Sequence, residues 1–525
     1  MPKVLISDKL SPAAVDIFRA RGLETDFKPG LSPEELLEII ADYDGLAIRS
    51  ATKVTKEVLA KAPKLKVVGR AGIGVDNVDT VAATAAGVVV MNTPFGNAIT
   101  TAEHAIAMMF ALARQIPAAD RSTQEGKWEK TKFMGVELTG KRLGLIGCGN
   151  IGAIVADRAR GLKMKVAAYD PYLSDERAAQ LGVAKVELDQ LFAEADIITL
   201  HTPMTDATRN IIDAGAIQKM KAGVRIINCA RGGLVDEVAL RGALETGHVA
   251  GAAFDVFVEE PAKENVLFGA PNFIATPHLG ASTSEAQEKV ALQVAEQMSD
   301  YLLTGAVTNA VNMPSVTAEE APLLKPYMTL ADNLGAFSGQ VIGSAIKSIS
   351  IEFEGLAAEI NPAPVVAAAL TGVLKPTLTS VNMVSAPAEA QARGIAVTTI
   401  KHDRPCDYQT MLRVTVETDD RTRSVAGTLF AENLPRLVDV QGIAIEAEFG
   451  PHMLYVRNYD KPGFIGALGS ALGDAGVNIA TFHLGRREEG GEAVALVEVD
   501  SAVGEDLLNA VKALPNVARV DALSF

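Results

Sequence analysis

The stretch KRLGLIGCGNIG, residues 141–152, decides the fold of this chain. Leu143–Ile146 is a short apolar run of the kind that forms a buried strand. Gly147, Gly149 and Gly152 follow it with the GxGxxG spacing of a turn that binds a dinucleotide. The first glycine permits the turn, the second lets the backbone approach a pyrophosphate, and the third lets helix pack on strand. We therefore predict a doubly wound parallel-sheet (Rossmann) α/β domain.

The end of the next strand predicts which dinucleotide is bound. A second apolar run, Lys165–Tyr169, ends in Asp170, at the usual distance for a carboxylate that binds the adenosine ribose. This carboxylate can accept hydrogen bonds from both ribose hydroxyls and would repel a 2′-phosphate. The predicted cofactor is therefore NAD rather than NADP.

Composition restricts the partners and the compartment. The chain has 525 residues, a 48% hydrophobic content and a net charge of −15, which suit several domains and argue against nucleic acid or an anionic membrane. No apolar run reaches the roughly 20 residues of a membrane span. Cys148, Cys229 and Cys406 are far apart and show no zinc-like spacing. We expect a cytoplasmic protein with no metal site.

Residues 1–97 have the pattern of a separate small α/β domain. Arg49-Ser50 directly follows one of its predicted strands, and Arg70 follows another. Since open α/β sheets bind ligands at the carboxyl ends of their strands, the two arginines could bind an anionic substrate. Surface salt bridges explain them equally well at this point.

The connection to the dinucleotide domain contains two further predictions. Thr100–Glu103 is predicted to be a capping box that opens a long helix ending near Ile116. Trp128, the only tryptophan, lies in a charged arm. It is either an ordinary half-buried residue or part of a contact between subunits.

Strands and helices alternate from residue 141 to about 284, as expected for a parallel sheet. The predicted strands are Leu143–Ile146, Lys165–Tyr169, Ile197–Leu200, Val224–Asn228, Ala250–Phe254 and Phe273–Ala275. Polar segments after three of them carry Arg231, Glu260 and His278. Because these segments share one edge with the glycine-rich turn, the three side chains are predicted to converge beside the nicotinamide.

These residue types suit the oxidation of a 2-hydroxy acid. His278 can take the hydroxyl proton, because an ordinary imidazole has a pKa of about 6.5. Glu260 can accept the second ring N–H and stabilise the imidazolium. Arg231, a permanent cation, can hold the substrate carboxylate and polarise the forming carbonyl.

The motifs NCARGGLVDE, DVFVEEP and TPHLGAST, together with GCGNIG, resemble those of D-isomer-specific 2-hydroxyacid dehydrogenases. RSATKVT, GRAGIGVDNVD and MNTPFGNAITTAEH narrow the resemblance to the branch that acts on 3-phosphoglycerate. The resemblance implies NAD-dependent oxidation of 3-phospho-D-glycerate to 3-phosphohydroxypyruvate, which opens L-serine biosynthesis. It also implies the same roles for Arg231, Glu260 and His278.

The resemblance further implies contacts to cofactor and substrate. The cofactor contacts carried over are Gly147, Gly149, Asn150, Ile151, Gly152, Asp170, Thr202, Pro203, Cys229 and Asp255. The substrate contacts carried over are Arg49, Ser50, Arg70, Gly72, Gly74 and Asn97.

The resemblance covers essentially the whole chain and implies four domains. They are a flavodoxin-like substrate domain in two pieces (1–97 and 285–308), the NAD domain (98–284), an α/β intervening domain (315–450) and a ferredoxin-like ACT domain (451–525). Lys401–Arg404 and the loop Gly427–Phe430 of the intervening domain suit either an allosteric anion site or a solvated surface. A homotetramer is the family expectation.

The last domain suggests regulation. Asn458, Asp460 and Asn478 are implied to bind an amino acid, and L-serine, the end product, is the expected effector. The alternative is a purely structural tail.

Two other functions are compatible with the dinucleotide motifs. A glyoxylate or hydroxypyruvate reductase usually ends near Leu303, so the long tail speaks against it. An NAD-sensing binding protein of the same fold lacks an ACT domain.

Overall fold

The computed structural model describes residues 1–317, 319–378, 381–402 and 407–525. Asp403, Arg404 and Cys406 lie outside the described residues. The chain forms two compact units. The first comprises Met1–Arg70, Gly74–Asn92 and Val294–Phe525, and the second comprises Ala71–Ile73 and Thr93–Gln293.

The first unit begins with a five-stranded parallel sheet. Its elements are β1 (Lys3–Ile6), α1 (Pro12–Ala20), β2 (Glu24–Phe27), α2 (Pro33–Ile39), β3 (Gly45–Ile48), α3 (Lys56–Ala60), β4 (Val67–Arg70), α4 (Thr80–Ala85) and β5 (Val89–Met91). The strand order β2-β1-β3-β4-β5 is the flavodoxin-like order, as predicted. Ser32 and Glu35 form a reciprocal capping box at the start of α2.

The second unit contains a seven-stranded sheet in which every pairing is parallel. Its elements are α5 (Ala98–Ala113), α6 (Ile116–Gln124), β6 (Arg142–Ile146), α7 (Asn150–Gly161), β7 (Lys165–Tyr169), α8 (Asp175–Leu181), β8 (Ala184–Lys185), α9 (Leu188–Glu194), β9 (Ile197–Leu200), α10 (Ala214–Lys219), β10 (Val224–Asn228), α11 (Glu237–Thr246), β11 (Val249–Phe254) and β12 (Phe273–Ala275). The order β12-β11-β10-β9-β6-β7-β8 is doubly wound, and it reverses between β6 and β9. The six predicted strands are confirmed, and the short β8 was not predicted.

One prediction about the connecting segment is wrong, and one of the two alternatives for Trp128 is excluded. α5 begins at Ala98 instead of at a capping box, and the hydroxyl of Thr101 donates to the carbonyl of Asn97. Trp128 is 87% exposed, which excludes an ordinary half-buried tryptophan. A subunit contact at Trp128 stays a prediction.

The first unit resumes at Val294 within α12 (Ser284–Thr304), and the C-terminal half of this helix packs on the five-stranded sheet. Met298 is fully buried there, and a Cβ on Gly69 of β4 would lie 2.1 Å from its Sδ atom. The helix can therefore approach β4 closely only because position 69 is a glycine.

A six-stranded sheet and its helices follow α12. Their elements are α13 (Ala321–Ile342), β13 (Ile346–Gly355), α14 (Pro362–Leu374), α15 (Ala386–Ala392), β14 (Ala396–His402), β15 (Thr410–Thr418), β16 (Thr422–Phe430), β17 (Leu434–Val440) and β18 (Ile443–Ala447), with strand order β14-β13-β15-β16-β17-β18. α13 and α14 touch backbone to backbone, since a Cβ on Gly339 would lie 2.3 Å from the carbonyl oxygen of Val373.

The tail is a four-stranded antiparallel sheet with two helices. Its elements are β19 (Met453–Tyr459), α16 (Phe464–Asp474), β20 (Ile479–Arg486), β21 (Glu492–Val499), α17 (Glu505–Lys512) and β22 (Val517–Leu523). The order β20-β21-β19-β22 confirms the predicted ferredoxin-like topology. No helix within the described ranges is long and apolar enough to cross a membrane.

The edge strands β18 and β20 of these two sheets lie side by side. A Cβ on Gly485 of β20 would lie only 2.2 Å from the carbonyl oxygen of Ala444 in β18. Arg487 donates from Nη2 to the carbonyl of Gln441 at 2.8 Å. The approach of the two strands therefore depends on the absence of a side chain at position 485.

We expect Gly485→Val to lower the urea midpoint of the full chain, since overpacking against a backbone atom costs about 1–3 kcal/mol. Gly469→Ala in α16 is the control, because its added Cβ meets open space, and it should keep or raise the midpoint, since alanine is favoured over glycine in a helix interior. Urea unfolding followed by circular dichroism gives both midpoints. A midpoint of Gly485→Val equal to that of the wild type would show that the β18–β20 approach is loose.

Candidate active site

The glycine-rich turn between β6 and α7 has the shape predicted for a dinucleotide site. Gly147 has a φ of +93°, and a Cβ there would lie 2.5 Å from the carbonyl oxygen of His201. A Cβ on Gly152 would lie 2.3 Å from the carbonyl oxygen of Gly147, whereas a Cβ on Gly149 would meet nothing within 4 Å. The first and third glycines are thus required by packing, and the second faces open space.

The surroundings of this turn fit NAD. α7 begins at Asn150, and no side chain caps its N-terminus, so its first amides, including that of Ile151, can face a pyrophosphate. Asp170 follows β7 and accepts from the amides of Cys148 at 2.8 Å and Tyr172 at 2.9 Å. These bonds hold its carboxylate beside the turn, where a ribose would lie. Thr202 and Pro203 follow β9 at the same edge.

His201 supports the turn and was not predicted as part of the site. Its Nε2 lies 3.0 Å from the hydroxyl of Thr199, and burial lowers its pKa to about 4. The imidazole is therefore neutral at physiological pH. The only signal in the sequence was its position at the end of β9, next to Thr202.

Asn228 shapes the turn that carries Arg231. Its side chain is buried at the end of β10, accepts from the amide of Ala230 at 3.1 Å and donates to the carbonyl of Arg231 at 2.8 Å. Arg231 itself donates from Nη1 to the carbonyl of Ala230 at 2.7 Å. Cys229 between them is buried, which raises the pKa of its thiol. Asn228 was not predicted from the sequence.

Gly232 joins the Arg231 turn to the turn that carries Glu260. A Cβ on Gly232 would lie 1.9 Å from the carbonyl oxygen of Phe257. The amide of Phe257 donates to Oε1 of Glu260 at 3.0 Å. The backbone around Arg231 therefore rests directly on the segment that orients Glu260.

His278 and Glu260 form the predicted pair. His278 Nδ1 lies 2.6 Å from Glu260 Oε2. The hydrogen bond to Glu260 raises the pKa of His278 above its ordinary value, although burial opposes this and Arg231 is near enough to lower it. Burial alone would raise the pKa of Glu260, but the bonds from His278 and the Phe257 amide outweigh it, and the pKa is lowered. The carboxylate of Glu260 therefore stabilises the positive charge of a protonated His278.

The buried carboxylate of Asp255, at the end of β11, holds the loop that carries His278. It accepts from the hydroxyl of Thr276 at 2.6 Å and from the amides of Leu279 at 2.7 Å and Gly280 at 2.8 Å. The carbonyl of Asp255 accepts from the amide of His278 at 2.9 Å. Burial opposes ionisation of this carboxyl, yet the bonds from His104, Thr276 and Leu279 keep its pKa lowered. A direct contact of Asp255 or Cys229 with the cofactor stays a prediction.

The predicted substrate residues are divided between the two units. Arg49, Ser50, Arg70 and Gly74 belong to the first unit, and Gly72 and Asn97 belong to the second. Gly72 has a φ of +150° and its carbonyl accepts from the amide of Thr93 at 3.0 Å. Asn97 is buried, and its Oδ1 has no hydrogen-bond partner among the described residues.

Asp8 and Asn77 fold the loop of Arg49 and were not predicted from the sequence. Asp8 is buried and accepts from the amide of Arg49 at 2.6 Å and from the hydroxyl of Thr52 at 2.6 Å. Asn77 donates from Nδ2 to the carbonyl of Arg49 at 2.7 Å. Ser50, at the tip of the loop, is exposed.

Three family models match the chain. The NAD-binding domain of D-isomer-specific 2-hydroxyacid dehydrogenases matches residues 106–280. The D-3-phosphoglycerate dehydrogenase intervening domain matches residues 323–441, and the ACT domain matches residues 452–516.

Full-length relatives extend this similarity. The chain is 44% identical to a D-3-phosphoglycerate dehydrogenase of Synechocystis, over 97% of this chain and 92% of the relative. It is 42% identical to one of Archaeoglobus fulgidus, over 98% of both chains. A solved glyoxylate reductase from Paecilomyes thermophila is 30% identical, with a TM-score of 0.55, and covers 59% of this chain and 98% of its own.

We expect Asp170→Ala to reduce the preference for NADH over NADPH by about 1–3 kcal/mol, the contribution of one charged hydrogen bond. The physical reason is that this carboxylate is predicted to accept from the ribose hydroxyls and would repel a 2′-phosphate. Fluorescence titration with both nucleotides measures the preference. Asp157→Ala, an exposed acid on α7, is the control and should leave it unchanged. An unaltered preference in Asp170→Ala would assign the discrimination to another group.

Proposed function

The chain belongs to the D-3-phosphoglycerate dehydrogenases of the D-isomer-specific 2-hydroxyacid dehydrogenase family, and we propose from this premise that it oxidises 3-phospho-D-glycerate to 3-phosphohydroxypyruvate with NAD. This reaction opens L-serine biosynthesis. The observation that supports it most directly is the 2.6 Å contact between His278 and Glu260, next to Arg231 in the NAD-binding domain.

In the proposed mechanism His278 is the general base. With Glu260 accepting the Nδ1 proton at 2.6 Å, the neutral ring keeps its lone pair on Nε2. That nitrogen takes the proton of the substrate hydroxyl as the C–H bond is broken. Bound NAD supplies the acceptor for the hydride. Glu260 then stabilises the imidazolium, and the proton leaves to solvent through the half-exposed ring.

Arg231 holds the substrate in the proposed mechanism. The bond from Asn228 fixes the backbone of Arg231, so the arginine side chain starts from a fixed position at the edge of the sheet. A guanidinium pairs with a carboxylate through two parallel hydrogen bonds and can also polarise the forming carbonyl. Its nearness to His278 also favours the neutral, proton-accepting imidazole.

Arg49, Ser50 and Arg70 are proposed to bind the phosphate, with the amides near Gly72 and Gly74. The loop that Asp8 and Asn77 hold supports this assignment, because it keeps the backbone of Arg49 in one conformation. Asn97 is proposed to orient the substrate through its unpartnered Oδ1. The net charge of −15 makes a local cationic site necessary for a phosphorylated acid.

The C-terminal domains distinguish the proposed dehydrogenase function from the two alternatives, a reductase and an NAD-sensing protein. The solved glyoxylate reductase covers only 59% of this chain, whereas the named D-3-phosphoglycerate dehydrogenases align along nearly all of it. A reductase or an NAD-sensing protein of this fold would not need the intervening and ACT domains. A cytoplasmic location, a homotetramer and the four domain boundaries given above are part of the proposal.

We also propose that the tail binds L-serine. A cavity of about 450 Å³ is lined by Asn458, Asp460 and Arg486. Asp460 accepts from Arg486 Nη1 at 2.6 Å, and Oδ1 of the buried Asn458 has no partner among the described residues. An amino acid zwitterion suits this pair, because its ammonium can bind Asp460 and its carboxylate can bind Arg486. Asn478 instead donates to Asp500 at 2.7 Å and does not line the cavity.

We expect kcat/KM for 3-phosphoglycerate to fall on the acid side with an apparent pKa above the ordinary histidine value, since Glu260 raises the pKa of His278 and only neutral imidazole accepts a proton. Glu260→Gln should lower the rate and move this limb to lower pH. His278→Ala should lose on the order of a hundredfold or more in turnover with NADH affinity intact. Initial rates across pH measure the three effects on the rate, and fluorescence titration measures the affinity for NADH, with His452→Ala as the control. If the wild type does not oxidise 3-phosphoglycerate, the proposed function is refuted.

Calorimetric titration of L-serine into the full chain tests the tail. We expect binding at millimolar or lower concentration with slower turnover, and loss of both in Asp460→Ala. Asp474→Ala, at the far end of α16, is the control. A wild type that neither binds serine nor slows would make the tail a purely structural module.

A further inference from the structure

Helix α5 holds the loop of the general base with two side chains on one face. The single hydroxyl proton of Thr101 is shared between the carbonyls of Gly280, at 2.9 Å, and Asn97, at 3.0 Å. His104, three residues later, places Nε2 at 3.2 Å from the hydroxyl oxygen of Thr276 and 3.3 Å from Oδ1 of Asp255. Residues three apart on a helix point the same way, so α5 reaches both ends of the Thr276–Gly280 loop.

The contacts of His104 fix which of its ring nitrogens carries a proton. Thr276 uses its own hydroxyl proton in the 2.6 Å bond to Asp255, so its oxygen can only accept from His104. The carboxylate of Asp255 is also an acceptor. Nε2 of His104 is therefore an N–H donor to this pair of oxygens.

The orientation of the Asp255 carboxylate determines where the loop lies. One of its oxygens accepts from the Leu279 amide and the other from the Gly280 amide. Between these anchors and Thr276, His278 has a φ of +56°, a conformation that residues other than glycine seldom adopt. A carboxylate free to rotate would release this loop, and with it the imidazole.

We propose that His104 is a positioning residue for the reaction, and that its N–H locks the Asp255 carboxylate so that the loop holds His278 against Glu260. This inference rests on the proposed role of His278 as the base. His104 forms no hydrogen bond with His278 or Glu260. It therefore acts through Asp255 and Thr276. The side chain of His104 is largely buried, with 18% of it exposed. A histidine that only filled the core would not need to donate a hydrogen bond to Asp255.

Two substitutions at position 104 separate positioning from packing. His104→Gln keeps an N–H donor close to the place of Nε2, whereas His104→Leu keeps the volume and removes the donor. We expect His104→Gln to stay within about threefold of the wild-type kcat and His104→Leu to lose on the order of tenfold or more, with the dissociation constant of NADH unchanged in both.

The pH profile gives a readout that packing alone would not move. The charged groups that face His278 are Glu260, Asp255 and Arg231. If the loop slackens in His104→Leu, His278 loses contact with Glu260, and the acid limb of kcat/KM should move to lower pH. The profile of His104→Gln should match that of the wild type.

A double-mutant cycle with Thr276→Val completes the test. We expect the losses in kcat from Thr276→Val and His104→Leu to be non-additive, because both remove the contact between His104 and Thr276 and both loosen the Asp255 carboxylate. Three results would each overturn the inference. They are an equal loss of kcat in His104→Gln and His104→Leu, a wild-type pH profile in His104→Leu, and full additivity in the double-mutant cycle. Failure of the wild type to oxidise 3-phosphoglycerate would instead refute the proposed function, and the two failures are thereby distinguished.

Discussion

The buried carboxylate of Asp255 is the group on which the rest of the active site depends. It gathers a helix side chain, a hydroxyl and two loop amides around one charge, at the end of β11. A buried anion is tolerated only when donors surround it, so the loop cannot leave without exposing an unpaired charge. The half-exposed imidazole of His278 is thus held in place by a network centred on a carboxylate that is 1% exposed.

Much of the fold was predictable because its signals are local. The spacing of Gly147, Gly149 and Gly152 indicated the turn, and the structure shows that two of them are required by contacts with nearby backbone. Each apolar run of the second unit became a strand because parallel strands are buried on both faces and leave a continuous hydrophobic signature. His278 and Glu260 were predicted together since both follow strands that end at one edge.

The residues that could not be predicted act across long distances in the chain. Asp8 holds the Arg49 loop from 41 residues away, and His104 reaches Thr276 from 172 residues away. No local pattern records such a contact, since polar side chains of this kind also occur on any surface. The same limit applies to α5, where Thr100 and Glu103 suggested a capping box, whereas the helix begins without a side-chain cap and the next residue, Thr101, bonds to the Thr276–Gly280 loop.

The contact between β18 and β20 also bears on how the chain avoids self-association. Each strand is the outermost member of its sheet, with a row of backbone groups that a foreign strand could pair with. Because Gly485 lets β18 and β20 approach closely, each strand covers the unpaired backbone groups of the other near this glycine. If the two sheets were expressed as separate fragments, each would expose one of these edges, and the fragments would be templates for strand addition and aggregation.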